Sequence, residues 1–185
     1  MMKIQTPLTK EKIKNLKAGQ TIYLSGTIYT GRDSAHKRLK ELYDQGLDLP
    51  IDLEDQVIYY VGPTPSKPGE VFGSGGPTTS GRMDAYAPLF ISLGMRAMIG
   101  KGYRNEEVKK AIQEHTGVYL GAIGGAGAII SSCVKSATVV AFEDLGPEAI
   151  RCLEIEDMPL VVLFDSDGND QYEFGKNDYL NNKGK

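Results

Sequence analysis

Hydrophobic residues fall in short runs separated by glycine, proline and polar turns, and the runs switch between the period of a strand and that of a helix. Thr21-Ile22-Tyr23-Leu24-Ser25-Gly26-Thr27-Ile28-Tyr29-Thr30 is rich in β-branched and aromatic residues and alternates imperfectly, which predicts a strand interrupted at Gly26. Gln56–Val61, Arg96–Gly100, Val118–Ile123, Ala137–Phe142 and Leu160–Asp165 predict further strands. Ala35, Leu39, Leu42 and Tyr43 recur at helical spacing behind Asp33 or Ser34 as a cap, and Gly46 stops that helix. A helix is expected from Met83 to Ile91, turning Met83, Ala85 and Leu89 inward, bent or kept short by Pro88 and ended by Gly94. Asn105 is placed to cap Glu106–Glu114, whose apolar stripe is Val108, Ala111 and Ile112. Shorter helices are expected over Lys10–Leu16, capped at Thr9, over Ile129–Ser136 and over Pro147–Leu153. Met1–Gln20 otherwise reads as a polar lead-in, Leu47–Glu54 as an irregular crossing, and Asn177–Lys185 as a frayed polar tail. No repeat or linker divides the chain, so residues 1–185 predict one α/β domain with short helices outside a central mixed sheet.

The totals narrow the partners. At 185 residues and 41% hydrophobic content the chain supports one substantial core. No apolar run approaches the roughly 20 residues that cross a bilayer, and no apolar leader follows Met1, so a cytoplasmic protein is expected. Net charge is -3 with scattered lysines, which argues against nucleic acid as the main partner but leaves room for a local cationic cluster. Cys133 and Cys152 have no metal-ligand spacing, so a disulfide scaffold or a self-contained metal site is not expected. The 22 glycines concentrate at Gly73–Gly76, Gly100–Gly102 and Gly121–Gly127, where loops pass close to a ligand or another subunit.

Candidate chemistry gathers where strands end. Gly73-Ser74-Gly75-Gly76-Pro77-Thr78-Thr79-Ser80-Gly81-Arg82-Met83-Asp84 places hydroxyls and an arginine directly ahead of the expected helix. Such a stretch suits a carboxylate or phosphate, or else is a glycine-rich turn capped by Ser80 or Thr79. Arg32 sits at a strand-to-helix junction, and His36 one turn on is either a partly exposed helical histidine or a group that holds Asp33. Lys101 lies between Gly100 and Gly102, either aimed at an anion or solvated. Gly124-Gly125-Ala126-Gly127-Ala128 lacks the spacing of a nucleotide loop and reads as close packing of small residues. Ser166–Asp170 lacks the final Glu of a calcium loop and reads as a turn. Cys133 beside Lys135 reads as a buried thiol rather than an activated one.

Taken together, Gly31-Arg32-Asp33-Ser34-Ala35-His36, Gly76-Pro77-Thr78-Thr79-Ser80-Gly81-Arg82-Met83-Asp84 and Gly100-Lys101-Gly102 resemble the β subunit of the two-subunit class I fumarate hydratases and L(+)-tartrate dehydratases. That subunit corresponds to the C-terminal domain of the single-chain iron–sulfur enzymes. The middle segment carries most of the resemblance, with Ser80 a mild departure where the family often has alanine. The resemblance implies a swivelling β/β/α domain whose mixed sheet is partly curled into a barrel, with short helices against it. It further implies a hydro-lyase of the tricarboxylic acid cycle that interconverts fumarate and (S)-malate. Arg32 and Arg82 would grip the two carboxylates, Lys101 would add charge at the reacting end, and Thr78 would remove the C3 proton. Asp33, His36 and Asp84 would orient them. The 4Fe–4S cluster would sit on an α subunit, with no metal ligand from this chain and an assembly of two α and two β chains. The alternatives are L(+)-tartrate dehydration to oxaloacetate or hydration of another C4 diacid, and a non-catalytic anion-binding or assembly domain.

Overall fold

Two long antiparallel strands set the frame. The computed structural model describes residues 2–66, 68–122 and 127–182, with the side chains of 127–128 and 177–182 outside the description. Strands β2 (Thr21–Thr30) and β7 (Ile150–Phe164) pair from Thr21↔Val161 to Tyr29↔Cys152. On the far edge of β2, β1 (Met2–Gln5) pairs with its start and β3 (Val57–Tyr59) with its end, both parallel. β4 (Ala97–Gly100) and β5 (Val118–Ala122) continue in parallel, and β5 meets the end of β7 antiparallel. The order β2-β3-β4-β5-β7 thus closes on itself as a small barrel, and β6 (Val134–Ala141) adds to the first half of β7. The mixed α/β sheet with flanking short helices is as expected.

Two apolar clusters explain the sequence pattern. Val57, Tyr59, Ala97, Ile99, Val118 and Leu120 join Ile22, Leu24, Ile28, Leu153, Met158 and Leu160 in the inner cluster. Ile58, Tyr60, Met98 and Tyr119 point the other way. They meet Leu39 of α2 (Asp33–Asp44), Phe90 and Ile91 of α3 (Ala87–Ser92), and Val108 and Ile112 of α4 (Glu106–His115). Strands β3 to β5 are buried on both faces, hence their unbroken apolar runs. β2 and β7 alternate instead, with one phase shift. Leu24 faces Met158 and Gly26 faces Ile155, so Glu156 and Asp157 together oppose Ser25 in a β-bulge. Gly26 (φ 105°) and Asp157 (φ 50°) take up the bend, and a Cβ on Gly26 would meet Thr6 Oγ1 at 2.3 Å.

Several expectations are corrected. The lead-in contains β1, an edge strand too exposed to show alternation, besides α1 (Lys10–Lys14), whose cap position Thr9 makes no side-chain capping bond. Helix α2 starts at Asp33 with Arg32, not Asp33 or Ser34, in the cap position. The helix expected from Met83 is split into a 3₁₀ turn, Ser80–Met83, and α3, where Pro88 sits in the first turn and needs no N–H partner. Met83, Ala87, Phe90 and Ile91 are buried, whereas Ala85 is exposed and Leu89 half-buried. Pro147–Leu153 is no helix: a 3₁₀ segment, Glu143–Glu148, leads straight into β7, because pairing with both β2 and β6 outweighs local propensity. Helix α5 (Gly127–Cys133) ends before Ser136, since Val134 already begins β6. The tail forms α6 (Gln171–Asn182) instead of fraying from Asn177. Ile123 and Gly124–Ala126 lie outside the described residues.

The end of β4 is packed without slack. A Cβ on Gly100 would meet Ser80 Oγ at 1.8 Å and the Tyr60 ring at 3.2 Å. Ser80 cannot turn away without losing the Lys101 N–H that it accepts at 3.1 Å and its contact with the Tyr119 hydroxyl at 2.9 Å. Gly100→Ala is expected to cost about 1–3 kcal/mol, the usual range for overpacking, seen as a lower urea midpoint and partly relieved in a Ser80→Ala background. An unchanged midpoint would mean that Ser80 does not pack on β4.

Candidate active site

The chain leaves the carboxyl ends of β2, β3 and β4 side by side, and the candidate residues are carried there. Arg32 follows β2 directly. Its guanidinium lies over Gly62, beyond the end of β3, where a Cβ would come within 2.8 Å of Nη1. Only glycine leaves room for that approach. Thr78 is held by its N–H, which donates to the Tyr60 carbonyl at 2.7 Å. Two residues on, Ser80 N–H donates to the Lys101 carbonyl at 2.9 Å, and Thr79 forms a parallel bridge with Lys101. The Thr78–Ser80 segment therefore runs as a short extra strand between the ends of β3 and β4. Backbone bonds thus tie Thr78 to the end of β3 and Thr79 and Ser80 to Lys101, and Arg82 follows in the 3₁₀ turn directly behind them. Openings at the carboxyl ends of parallel strands are the usual place for ligands in α/β sheets.

Charge is concentrated at this end. Asp33 Oδ1 accepts from Arg82 Nε at 2.7 Å, while its Oδ2 lies 3.7 Å from Arg32 Nη2. Glu148 Oε1 lies 3.8 Å from Arg32 Nη2, and its Oε2 accepts the Ser34 N–H at 2.8 Å. Arg32 Nε and Asp33 Oδ2 are buried with no hydrogen-bond partner among the described residues, so the Arg32 fork is not saturated. Arg82 is half exposed and Lys101 exposed. The backbone amides of Thr78, Ser80 and Arg82 are already bonded to protein carbonyls. These three amides are therefore not free donors, and the cationic groups at this end are the side chains of Arg32, Arg82 and Lys101.

The supporting residues divide differently from expectation. Asp33 engages Arg82 and neighbours Arg32. Asp84 instead binds Arg104 Nε at 2.6 Å and accepts the Asn105 N–H at 2.7 Å. His36 is fully buried, not partly exposed. Its Nδ1 is 2.8 Å from the Arg32 carbonyl, and its ring packs against Tyr60, Tyr86 and Phe90. Burial pushes its pKa down to about 4; the Arg32 carbonyl opposes this, Arg104 adds to it, and Asp33 and Glu148 pull weakly upward. A neutral ring donating from Nδ1–H fits that setting. Burial also raises the Tyr60 and Tyr119 hydroxyls. Glu148, Arg104 and Tyr119 were not singled out by sequence reasoning, since nothing local marks a lone charge or tyrosine as buried.

The cysteines lie apart from this chemistry. Both are free, and burial raises the Cys133 thiol more than Lys135 lowers it. Among the described residues no group of three or more His, Cys, Asp or Glu is placed to hold a metal ion, so their donor set does not fit an iron–sulfur cluster. No helix among them is long and apolar enough to cross a membrane.

Comparison with known proteins places the chain in a family. The profile of the family described as "Fumarase C-terminus" matches residues 1–175. The chain is 46% identical over 152 residues to "Fumarate hydratase class I, anaerobic" of Escherichia coli, covering 81% of this chain and 28% of that protein. It is 40% identical over 173 residues to "Fumarate hydratase 2" of Leishmania major, covering 91% of this chain and 30% of that one. The chain thus spans under a third of these relatives. It also matches "Putative L(+)-tartrate dehydratase subunit beta" of Methanocaldococcus jannaschii at 42% identity over 172 residues, 90% of this chain and 88% of that protein.

The buried imidazole predicts a pH effect on folding. As pH falls from 6.5 toward about 4, the unfolded state takes up a proton on His36 that the folded state does not. Stability falls across that window, by about 3 kcal/mol at its acid end. His36→Asn keeps a donor for the Arg32 carbonyl and does not titrate. The difference in unfolding free energy between native chain and variant should shift by that amount over the window; a constant difference would place His36 in water.

Proposed function

The chain belongs to the fumarase C-terminus family, and from that premise we propose that it is the β subunit of an iron–sulfur hydro-lyase interconverting fumarate and (S)-malate. The observation that carries this reading is the delivery of Arg32, Thr78, Arg82 and Lys101 to adjacent strand ends by backbone hydrogen bonds. A C4 dicarboxylate brings two negative charges, and Arg32 and Arg82 offer a planar fork for each. Asp33 hydrogen-bonds Arg82 and lies 3.7 Å from Arg32, so one carboxylate neighbours both guanidinium groups. Lys101 then faces the charge that builds on the carboxylate next to C3 as the C3–H bond breaks. Thr78 takes that proton. A hydroxyl is a weak base in water, and the cationic groups around it favour its alkoxide form. The C3–H electron pair forms the double bond as hydroxide leaves C2. A 4Fe–4S cluster held by an α subunit would, when bound, supply the Lewis acidity that assists this departure. In this reading the soluble cytoplasmic enzyme assembles from two α and two β chains, and the β chain alone turns nothing over.

A second reading keeps the site and changes the substrate to L(+)-tartrate. It is favoured by the relative with that name, which this chain matches over nearly its whole length. The two are separated by combining both chains anaerobically, rebuilding the cluster and comparing fumarate, malate and tartrate turnover. With the preferred substrate, Arg82→Ala should lower kcat/KM by about 10²–10³, the effect of removing one partner of a desolvated charge pair. Thr78→Ala should lower kcat by about 10²–10⁴ with little change in KM. Normal kcat in the threonine variant removes it as the base; normal kcat/KM in the arginine variant removes Arg82 from the proposed site, and no turnover of any of the three acids by the assembled, cluster-loaded complex leaves a non-catalytic fold.

A further inference from the structure

Three residues past Lys101, Arg104 enters the outer core with its side chain 1% exposed. Its Nε bonds Asp84 Oδ1 at 2.6 Å, and Asp84 stands two residues past Arg82. Its guanidinium carbon lies 5.4 Å from the Tyr60 ring and 5.1 Å from the Tyr119 ring. The Tyr119 hydroxyl lies 2.9 Å from Ser80 Oγ and 3.0 Å from the Gly102 carbonyl, on either side of Lys101 in the fold. We propose that Arg104 is a positioning residue: it fixes the turn bearing Arg82 against the loop bearing Lys101, and so sets the spacing between two of the cations that receive the substrate. This rests on the assignment of Arg82 and Lys101 to the substrate site.

Stability alone does not account for the arrangement. A buried arginine–carboxylate pair loses the hydration of both ions, and well-packed apolar side chains of similar volume commonly hold a fold as well or better. Arg104 is also thinly satisfied: among the described residues Nη2 has no partner within hydrogen-bond geometry, and Nη1 meets the Met98 sulfur at 3.3 Å. Its planar fork offers direction. With Nε bonded to Asp84 and the guanidinium carbon lying over two tyrosine rings, rotation of the fork is restrained, and with it the sliding of the two loops past each other. Asp84 extends the tie by accepting the Asn105 N–H, so the start of α4 is drawn into the same joint. Substrate held between two points feels their separation directly, and a displacement of about 1 Å is enough to cost on the order of 10²-fold in rate.

The test uses the enzyme assembled with its partner and cluster. Arg104→Met with Asp84→Leu replaces the ion pair by an apolar one. This double variant should assemble, melt close to the native enzyme, and raise KM for the diacid by about tenfold with a smaller change in kcat. The rise should largely vanish when the same pair is introduced into Arg82→Ala, because two changes acting through one contact are not additive. A KM within about twofold of native in the assembled double variant overturns the proposal, as does full additivity with Arg82→Ala. Should the double variant fail to assemble, Asp84→Asn keeps an acceptor for the Asn105 N–H while removing the charge, and the same two criteria apply to it. A normal KM in Arg82→Ala by itself removes the underlying site and this role together. A raised KM there with a normal KM in the double variant removes only the role of Arg104.

Discussion

The pairing of Ser80 with Lys101 is the contact on which the site depends. Ser80 gives its N–H to the Lys101 carbonyl and receives the Lys101 N–H on its hydroxyl, so the two residues are locked in both directions. Thr78 is tied to the end of β3 by a single bond, its N–H donating to the Tyr60 carbonyl. These bonds lie in a region where Ser80 and Tyr60 are fully buried, and breaking one leaves a polar group dry, at about 1–3 kcal/mol each. The glycine at position 100 is what lets the segment come so close. The side chains of Thr78, Arg82 and Lys101 are thereby spared from holding the backbone.

Electrostatics adds aim rather than stability. Contacts at 3.7–3.8 Å between Arg32 and its carboxylates, on partly exposed groups, are worth little as ion pairs. What they do is restrict where the guanidinium points. The overall charge of -3 says nothing of this, because Arg32, Arg82 and Lys101 gather at one end of the barrel. Below them the imidazole of His36 stays neutral and ties the Arg32 carbonyl, so the first turn of α2 is stiffened without adding a further charge.

Much of this was legible in the sequence, for identifiable reasons. β2 and the doubly buried strands β3 to β5 announce themselves by composition, and Asn105 caps α4 as its position suggests, accepting the Val108 N–H at 2.9 Å. Arg32, Thr78, Arg82 and Lys101 stand out because glycine and proline punctuate the strand ends beside them. Other features depend on contacts between distant segments. The first half of β7 resembles a short helix until β2 and β6 flank it, and β1 is a strand only because β2 offers an edge. Nothing in the sequence marks Arg104, whose burial depends on Tyr60, just past β3, and Tyr119, of β5, meeting beside it in the fold.

The most direct measurement is a structure of the anaerobically assembled complex with a C4 diacid bound. Its two carboxylates are expected within hydrogen-bond reach, about 3 Å, of the guanidinium groups of Arg32 and Arg82, with the Lys101 ammonium and the Thr78 hydroxyl facing the carbon that loses its proton. A diacid bound wholly by the partner chain, with the ends of β2, β3 and β4 turned away from it, would contradict the assignment.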